Sequence, residues 1–115
     1  MPKNFSVSER YRELARTVRA AGFYCGEQPF SKRLTRLVCA TSGGDWGLGG
    51  ATIWVLKRRE HWFIGTWLPE CYRVPHEADC AEIVIALLHL DDTSINERVP
   101  SIIASRFALI ACDVP

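Results

Sequence analysis

Several features that identify membrane proteins, secreted proteins and common metal sites are missing from this sequence. No apolar run approaches the roughly 20 residues that a membrane-spanning helix needs. The N-terminal residues MPKNFSVSER are polar and lead into a predicted helix, so no secretory signal peptide is expected. The five cysteines, at positions 25, 39, 71, 80 and 112, include no C-x-x-C pair. These absences predict a cytoplasmic protein with reduced thiols and no contact with a membrane.

The glycine-rich stretch 42–50 lacks the patterns of a phosphate-binding loop. After Gly47 and Gly49, G-x-G-x-x-G would need a glycine at position 52, where Thr52 stands. The P-loop pattern fails because no lysine follows Gly49 or Gly50. No G-x-S-x-G nucleophile turn occurs either. We therefore interpret this stretch as a connection between antiparallel strands.

An excess of charge of one sign is also missing, since the formal net charge is +1. Residues 1–60 carry 11 basic and 5 acidic side chains, whereas residues 61–115 carry 3 and 8. The basic residues are scattered over a predicted helix, a loop and a turn, without an arginine-rich run. We therefore do not predict a nucleic-acid partner. The two halves are expected to neutralise each other across the fold.

The most informative stretch that is present is Ala51–Pro75, which holds three of the four tryptophans. Ala51–Lys57 and Trp62–Leu68 are predicted to form a β-hairpin around a polar turn. The turn contains neither glycine nor asparagine, so we expect a four-residue loop built on a type I turn. The predicted register pairs Lys57 with Trp62, Leu56 with Phe63, Val55 with Ile64, and Trp54 with Gly65.

Both faces of this hairpin are apolar, because side chains alternate in direction along a strand. The first face carries Ile53, Val55, Trp62, Ile64 and Leu68. The second face carries Trp54, Leu56, Phe63 and Trp67. An antiparallel sheet with one face in water would show polar residues on that face. The second face therefore needs a cover, which could be more of this chain, a second copy, a partner or a ligand.

The remaining segments predict an α+β fold. A capping box at Ser6 and Glu9 is expected to start a helix that ends at Gly22. Phe23–Lys32 is interpreted as irregular because it contains Gly26 and Pro29. The other predicted elements are a strand over Leu34–Thr41, an extended arm over Pro69–Pro75, a buried helix over Glu77–Leu90, a short helix over Pro100–Arg106 and a strand over Phe107–Asp113.

The predicted order is therefore α-β-β-β-α-α-β, within one domain covering residues 1–115. Hydrophobic residues make up 48% of the chain and charged residues 23%, as in ordinary globular proteins. A predominantly antiparallel sheet of about four strands with helices packed on it is the expected architecture. The last strand could pair at either edge of the hairpin sheet.

The second face suggests a function in binding. Trp46, Trp54, Phe63, Trp67 and Tyr72 are predicted to form its aromatic surface. Aromatic residues are concentrated at the centres of protein interfaces. The sequence thus predicts a non-catalytic module that binds a protein partner, a second copy as a homodimer, or a small ligand. The competing interpretation is that the terminal helix and the arm cover this face, which would make the tryptophans part of the core.

An alternative function is a small enzyme or a metal-binding protein with a Cys/His site near the start of the second helix. The segment His76–Cys80 resembles the zinc motif H-E-x-x-H with cysteine as the second ligand, and Cys71 lies nearby. The match is imperfect, and a proline precedes His76. We therefore predict no metal and no cofactor, and the sequence identifies no catalytic residue.

Overall fold

Six strands form one antiparallel sheet in which each strand lies beside its neighbours in the chain. The computed structural model describes residues 6–41, 52–66, 71–90 and 99–113. The strands are β1 (Tyr24–Pro29), β2 (Thr35–Ala40), β3 (Thr52–Arg58), β4 (His61–Gly65), β5 (Cys71–Val74) and β6 (Ile110–Cys112). This order is an up-and-down meander, with β1 and β6 at its two edges within the described residues.

The described helices all pack on one face of this sheet. They are α1 (Arg12–Ala20), α2 (Cys80–His89) and α3 (Ser101–Arg106). One turn of 3₁₀ helix precedes α1 at Glu9–Tyr11, and another precedes α2 at Glu77–Asp79. Buried residues of all three helices join one cluster with the first face of the hairpin. No helix in the described part of the chain has the length and apolar character needed to cross a membrane.

The α+β class with an antiparallel sheet and packed helices is confirmed, but about four strands was too few. Residues 24–29, which were expected to be irregular, form β1 and pair with β2 along their whole length. Gly26 and Pro29 are tolerated there because β1 is an edge strand and Pro29 is its last residue. The predicted arm contains β5, which pairs with both β4 and β6. The last strand therefore joins the sheet beside β5 and not beside the hairpin.

The first helix begins differently from the prediction. No capping box forms, because the 3₁₀ turn starts at Glu9 and the preceding Ser8 makes no side-chain cap. The backbone N–H of Ser8 instead donates to Oε1 of Glu27 on β1, at 2.7 Å. The expected end of the helix is confirmed, since Gly22 adopts a φ of 98°.

The predicted register of the hairpin is confirmed at all four pairs. The turn is tighter than expected, because Arg58 pairs with His61 and only Arg59 and Glu60 connect the strands. Arg59 adopts a φ of 57°, a conformation that two-residue hairpin turns require and that favours glycine. The register thus follows from the apolar pattern, even though Arg59 and Glu60 are not residues that favour a two-residue hairpin turn.

The second face has its own small core. Buried Val38, Trp54, Leu56 and Cys71 form it, with Phe30, Leu34, Phe63 and Cys112 packed around them. Phe30 and Leu34 come from the turn between β1 and β2, where Phe30 N donates to Leu34 O at 2.8 Å. The helix α1 shares the first face, and α3 also packs there. Among the described residues, the β1–β2 turn and not a helix therefore covers part of the second face.

Candidate functional site

The five aromatic residues predicted to form one surface do not all share a face. Trp46 and Trp67 lie outside the described residues. Trp54 and Phe63 are on the second face. Tyr72 pairs with Ile64 on β4 and packs against the cluster beneath the helices, so it belongs to the first face. Within the described residues, the predicted surface is thus reduced to Trp54 and Phe63.

Trp54 has the surroundings of a core residue and is only 6% exposed. Its indole N–H donates to the carbonyl of Thr66 at 2.7 Å. Its ring lies over Gly65, so closely that a Cβ there would be 2.2 Å from Cζ2. Phe30 packs against the ring, with 6.2 Å between the centroids. Trp54 therefore presents little surface to a partner.

The open part of the second face lies toward β6. Phe63, Arg73 and Ile110 are opposite one another on β4, β5 and β6. Phe63 is half-buried, Arg73 is exposed and Ile110 is 50% exposed. Among the described strands, β6 pairs only with β5, so its outer edge offers unpaired backbone groups. We call these three residues the β6 patch.

The structure does not bring together the weak metal candidates Cys71, His76 and Cys80. Cys71 belongs to the second-face core, Cys80 belongs to the cluster beneath the helices, and His76 is exposed. The sheet thus lies between the two thiols. The described ranges contain no group of three or more His, Cys, Asp or Glu side chains arranged to hold a metal ion.

The electrostatics around Cys71 and Cys80 also oppose a reactive thiolate. Burial raises the pKa of the Cys80 thiol to about 12, and the carboxylates of Glu77 and Asp79 act in the same direction. Burial, followed by contact with the Cys112 thiol, raises the pKa of Cys71 to about 12. Both thiols are therefore protonated near neutral pH, whereas a nucleophile or metal ligand needs a lowered pKa.

Four of the five cysteines form two pairs directly across neighbouring strands. Cys25 and Cys39 are opposite on β1 and β2, with 3.5 Å between their sulfurs. Cys71 and Cys112 are opposite on β5 and β6, with 3.2 Å between their sulfurs. None of the five cysteines forms a disulfide bond in the structure. The sequence did not reveal these pairs, because β1 was not predicted and the partner of the last strand was left open.

A cleft of about 360 Å³ opens where the hairpin meets the starts of α1 and α2. We call it the hairpin cleft, and residues that define it are Glu9, Arg10, Leu14, Lys57, Trp62 and Glu77. Its volume lies at the lower end of the range of small-molecule sites. It brings together side chains from three separate segments of the chain.

Trp62 is the unusual residue of the hairpin cleft. It is only 5% exposed, and its indole Nε1 is buried without a hydrogen-bond partner among the described residues. Tyr11 packs edge-on against its ring, with 6.1 Å between centroids, and the Lys57 ammonium lies 5.2 Å from the ring centroid. A buried polar group without a partner is rare and costly, so this N–H requires an explanation.

The charged groups of the hairpin cleft fall into two sets. Arg10 lies on the hairpin side, where its Nη1 donates to the carbonyl of Lys57 at 3.2 Å. Glu13 already forms an ion pair with Arg16, one turn further along α1. The carboxylates of Glu9 and Glu77 have no ion pair within the part of the chain that the structure describes. The cleft therefore offers cations near Trp62 and uncommitted carboxylates in the 3₁₀ turns that precede α1 and α2.

Sequence reasoning did not find the hairpin cleft, because its residues are far apart in the chain and match no motif. An unpartnered indole N–H can be seen only when its neighbours are known. Comparison of the chain with protein-family models, with curated proteins and with solved structures found no match.

Proposed function

We propose that this protein is a non-catalytic binding module that takes a small polar ligand in the hairpin cleft. The observation that supports this most directly is the buried Trp62 N–H without a hydrogen-bond acceptor. Nε1 is closed off from solvent in the structure, so a ligand oxygen would supply that acceptor after a local rearrangement of the cleft wall, and the cleft has the volume of a small-molecule site. Cys80, which lines the cleft, has a pKa raised by burial to about 12, which does not favour a nucleophilic thiolate.

The charges of the cleft define the class of ligand. An oxygen acceptor, such as a carboxylate, suits the side of Trp62, where Lys57 and Arg10 add positive charge. An ammonium group suits Glu9 and Glu77, whose exposed carboxylates attract a positive charge. Leu14 adds an apolar side chain to the lining of the cleft. The ligand is therefore a small zwitterion with both groups, a class that includes free amino acids and dipeptides.

The indole N–H resonance of Trp62 provides a direct test. Free amino acids and glycylglycine are added one at a time to ¹⁵N-labelled full-length protein. At least one of them should shift the Trp62 indole resonance in a saturable way, because a new acceptor changes the shielding of that proton. Trp62→Phe assigns the resonance by removing it.

Matched controls are available in the same spectrum and the same cleft. The indole resonance of Trp54 should not move, because its N–H already donates to Thr66. Glu77→Gln should weaken binding by roughly two- to fivefold if its exposed carboxylate holds the ligand amine. Absence of any saturable shift at millimolar concentrations, or equal shifts at Trp54, would contradict the proposal.

A second candidate function is contact with another protein through the β6 patch, with a second copy of this chain as the partner. Ile110 supports this candidate, because its large apolar side chain is 50% exposed. It lies on β6, which is an edge strand of the described sheet. Two β6 strands could pair antiparallel around a twofold axis and continue the sheet across both copies. Phe63 and Arg73 would flank that junction.

Light scattering during size exclusion tests the homodimer. The wild-type chain should elute with twice the mass of a monomer at micromolar concentration. Ile110→Lys should elute as a monomer, because it places a charge on the strand that would pair across the twofold axis. Ile102→Lys is the matched control, since Ile102 is 78% exposed but lies on α3. A wild-type monomer, or a dimer unaffected by Ile110→Lys, would remove this candidate.

A further inference from the structure

We propose that Cys71 and Cys112 are a site of reversible disulfide formation that locks the last strand to the sheet. The two residues are directly opposite on β5 and β6, and their sulfurs are 3.2 Å apart. The Cys71 thiol also donates to the carbonyl of Cys112 at 3.2 Å. The side chains therefore already face each other across the strands before any oxidation.

The backbone of an antiparallel pair is suited to this bond. Directly opposite residues have Cα atoms about 4.5 or 5.5 Å apart, depending on the type of pair. Disulfides connect Cα atoms about 4.4–6.8 Å apart. Oxidation of Cys71 and Cys112 therefore needs only an approach of the two sulfurs, with the ladder between β5 and β6 left in place.

The Cys71–Cys112 pair differs from the Cys25–Cys39 pair in its exposure to solvent. Cys25 and Cys39 have the same cross-strand arrangement, but both are 0% exposed and lie in the cluster beneath the helices. Cys112 is the one residue of these four that is partly exposed, so we expect an oxidant to reach it first. The protein thus contains a reachable pair and an unreachable pair with similar sulfur distances.

The chemistry is a thiol–disulfide exchange with a low-molecular-weight disulfide as oxidant. The Cys112 thiolate, after loss of its proton to water, attacks one sulfur of the oxidant and releases one thiolate. Cys71 then loses its proton and attacks the Cys112 sulfur, which releases the second thiolate. Two protein thiols are oxidised and one small disulfide is reduced to two thiols. Burial and contact with the Cys112 thiol raise the pKa of Cys71 to about 12, which slows this second attack, whereas the 3.2 Å distance between the two sulfurs favours it.

The Cys71–Cys112 disulfide would stabilise the pairing of β6 with β5. This strand has three residues, and β5 is its only partner among the described strands. Cys71 and Cys112 are 41 positions apart, so the bond would close a long loop that includes α2 and α3. Closing a loop of that length reduces the freedom of the unfolded chain, which corresponds to a rise in Tm of roughly 10–20 °C.

The test uses the purified full chain with oxidised and reduced glutathione as the probe. The protein is equilibrated across a series of glutathione ratios, alkylated under denaturing conditions and mapped by mass spectrometry without reduction. We expect a Cys71–Cys112 cross-link, alkylation of the other three thiols, and a higher Tm for the oxidised form. The variant Cys25→Ser/Cys39→Ser should still form the bond, whereas Cys71→Ser/Cys112→Ser should lose both the cross-link and the Tm rise.

Three results would overturn the proposal. One is a stable glutathione adduct on Cys112 without a cross-link, and another is a Cys25–Cys39 cross-link that forms first. The third is a Cys71–Cys112 cross-link that leaves Tm unchanged, which would show that the bond does not secure the strand. The mapping of the wild-type chain decides the first two even if a serine variant fails to fold.

Discussion

Replacing Gly65 with alanine is expected to destabilise the protein by about 3 kcal/mol, the upper part of the range for overpacked cores. A Cβ at this position would lie 2.2 Å from Cζ2 and 2.4 Å from Cε2 of Trp54. The ring cannot move away easily, because its N–H is bonded to Thr66 and Phe30 packs against it. Urea unfolding followed by circular dichroism measures the loss.

Two controls separate this clash from the general cost of losing a glycine. In a Trp54→Phe background the smaller ring vacates the space, so Gly65→Ala should cost less than about 1 kcal/mol, which makes the pair strongly non-additive. Gly22→Ala meets nothing within 4 Å but has a φ of 98°, so it should cost about 1 kcal/mol in both backgrounds. Equal costs of Gly65→Ala with and without Trp54 would show that the ring does not set the constraint.

Tyr11→Phe is expected to cost about 2–3 kcal/mol, although it removes only one oxygen atom. The side chain is 0% exposed, and its hydroxyl donates to the carbonyl of Thr35 at 2.7 Å. The same hydroxyl accepts from the backbone N–H of Lys57 at 3.0 Å. Its loss leaves two part-buried backbone groups of β2 and β3 without this partner, and an unsatisfied group that is fully buried costs about 1–3 kcal/mol.

Tyr72→Phe is the matched control for this substitution. Tyr72 packs on the same side of the sheet, but its hydroxyl makes no hydrogen bond within the described residues. It should therefore change the free energy of unfolding by less than about 0.5 kcal/mol. Tyr11→Leu should lower the free energy of unfolding more than Tyr11→Phe does, because it also loses the edge-on contact with Trp62. Similar small effects for both tyrosines would mean that water replaces the lost hydroxyl.

The register of the hairpin could be predicted because it depends on residues that are close together in the sequence. Alternation of apolar residues and a single polar turn leave one register that gives Trp54 and Trp62 opposite directions. The strand β1 was missed because Gly26 and Pro29 disfavour a central strand, and nothing local indicates an edge position. The β5 strand was recognised as extended, but its pairing on both sides depends on the whole sheet.

The candidate sites were less predictable than the fold, for a physical reason. The hairpin cleft joins Glu9, Trp62 and Glu77, and only the packing of the two helix starts against the hairpin brings them together. The two cysteine pairs required the register of β1 against β2 and of β5 against β6. Tyr72 was assigned to the wrong face because its strand had no predicted partner from which the direction of its side chain could be inferred.

The meander also has a consequence for how the sheet assembles. Four of its five strand pairings join segments separated by a single connection, so little loop-closure entropy opposes them and each can form early. The pairing of β5 with β6 is different, because α2 and α3 lie between the two strands in the chain. We infer that β6 docks last during folding and exchanges its amide hydrogens fastest in the native sheet. The C-terminal strand is then the part of the sheet whose opening requires the least free energy.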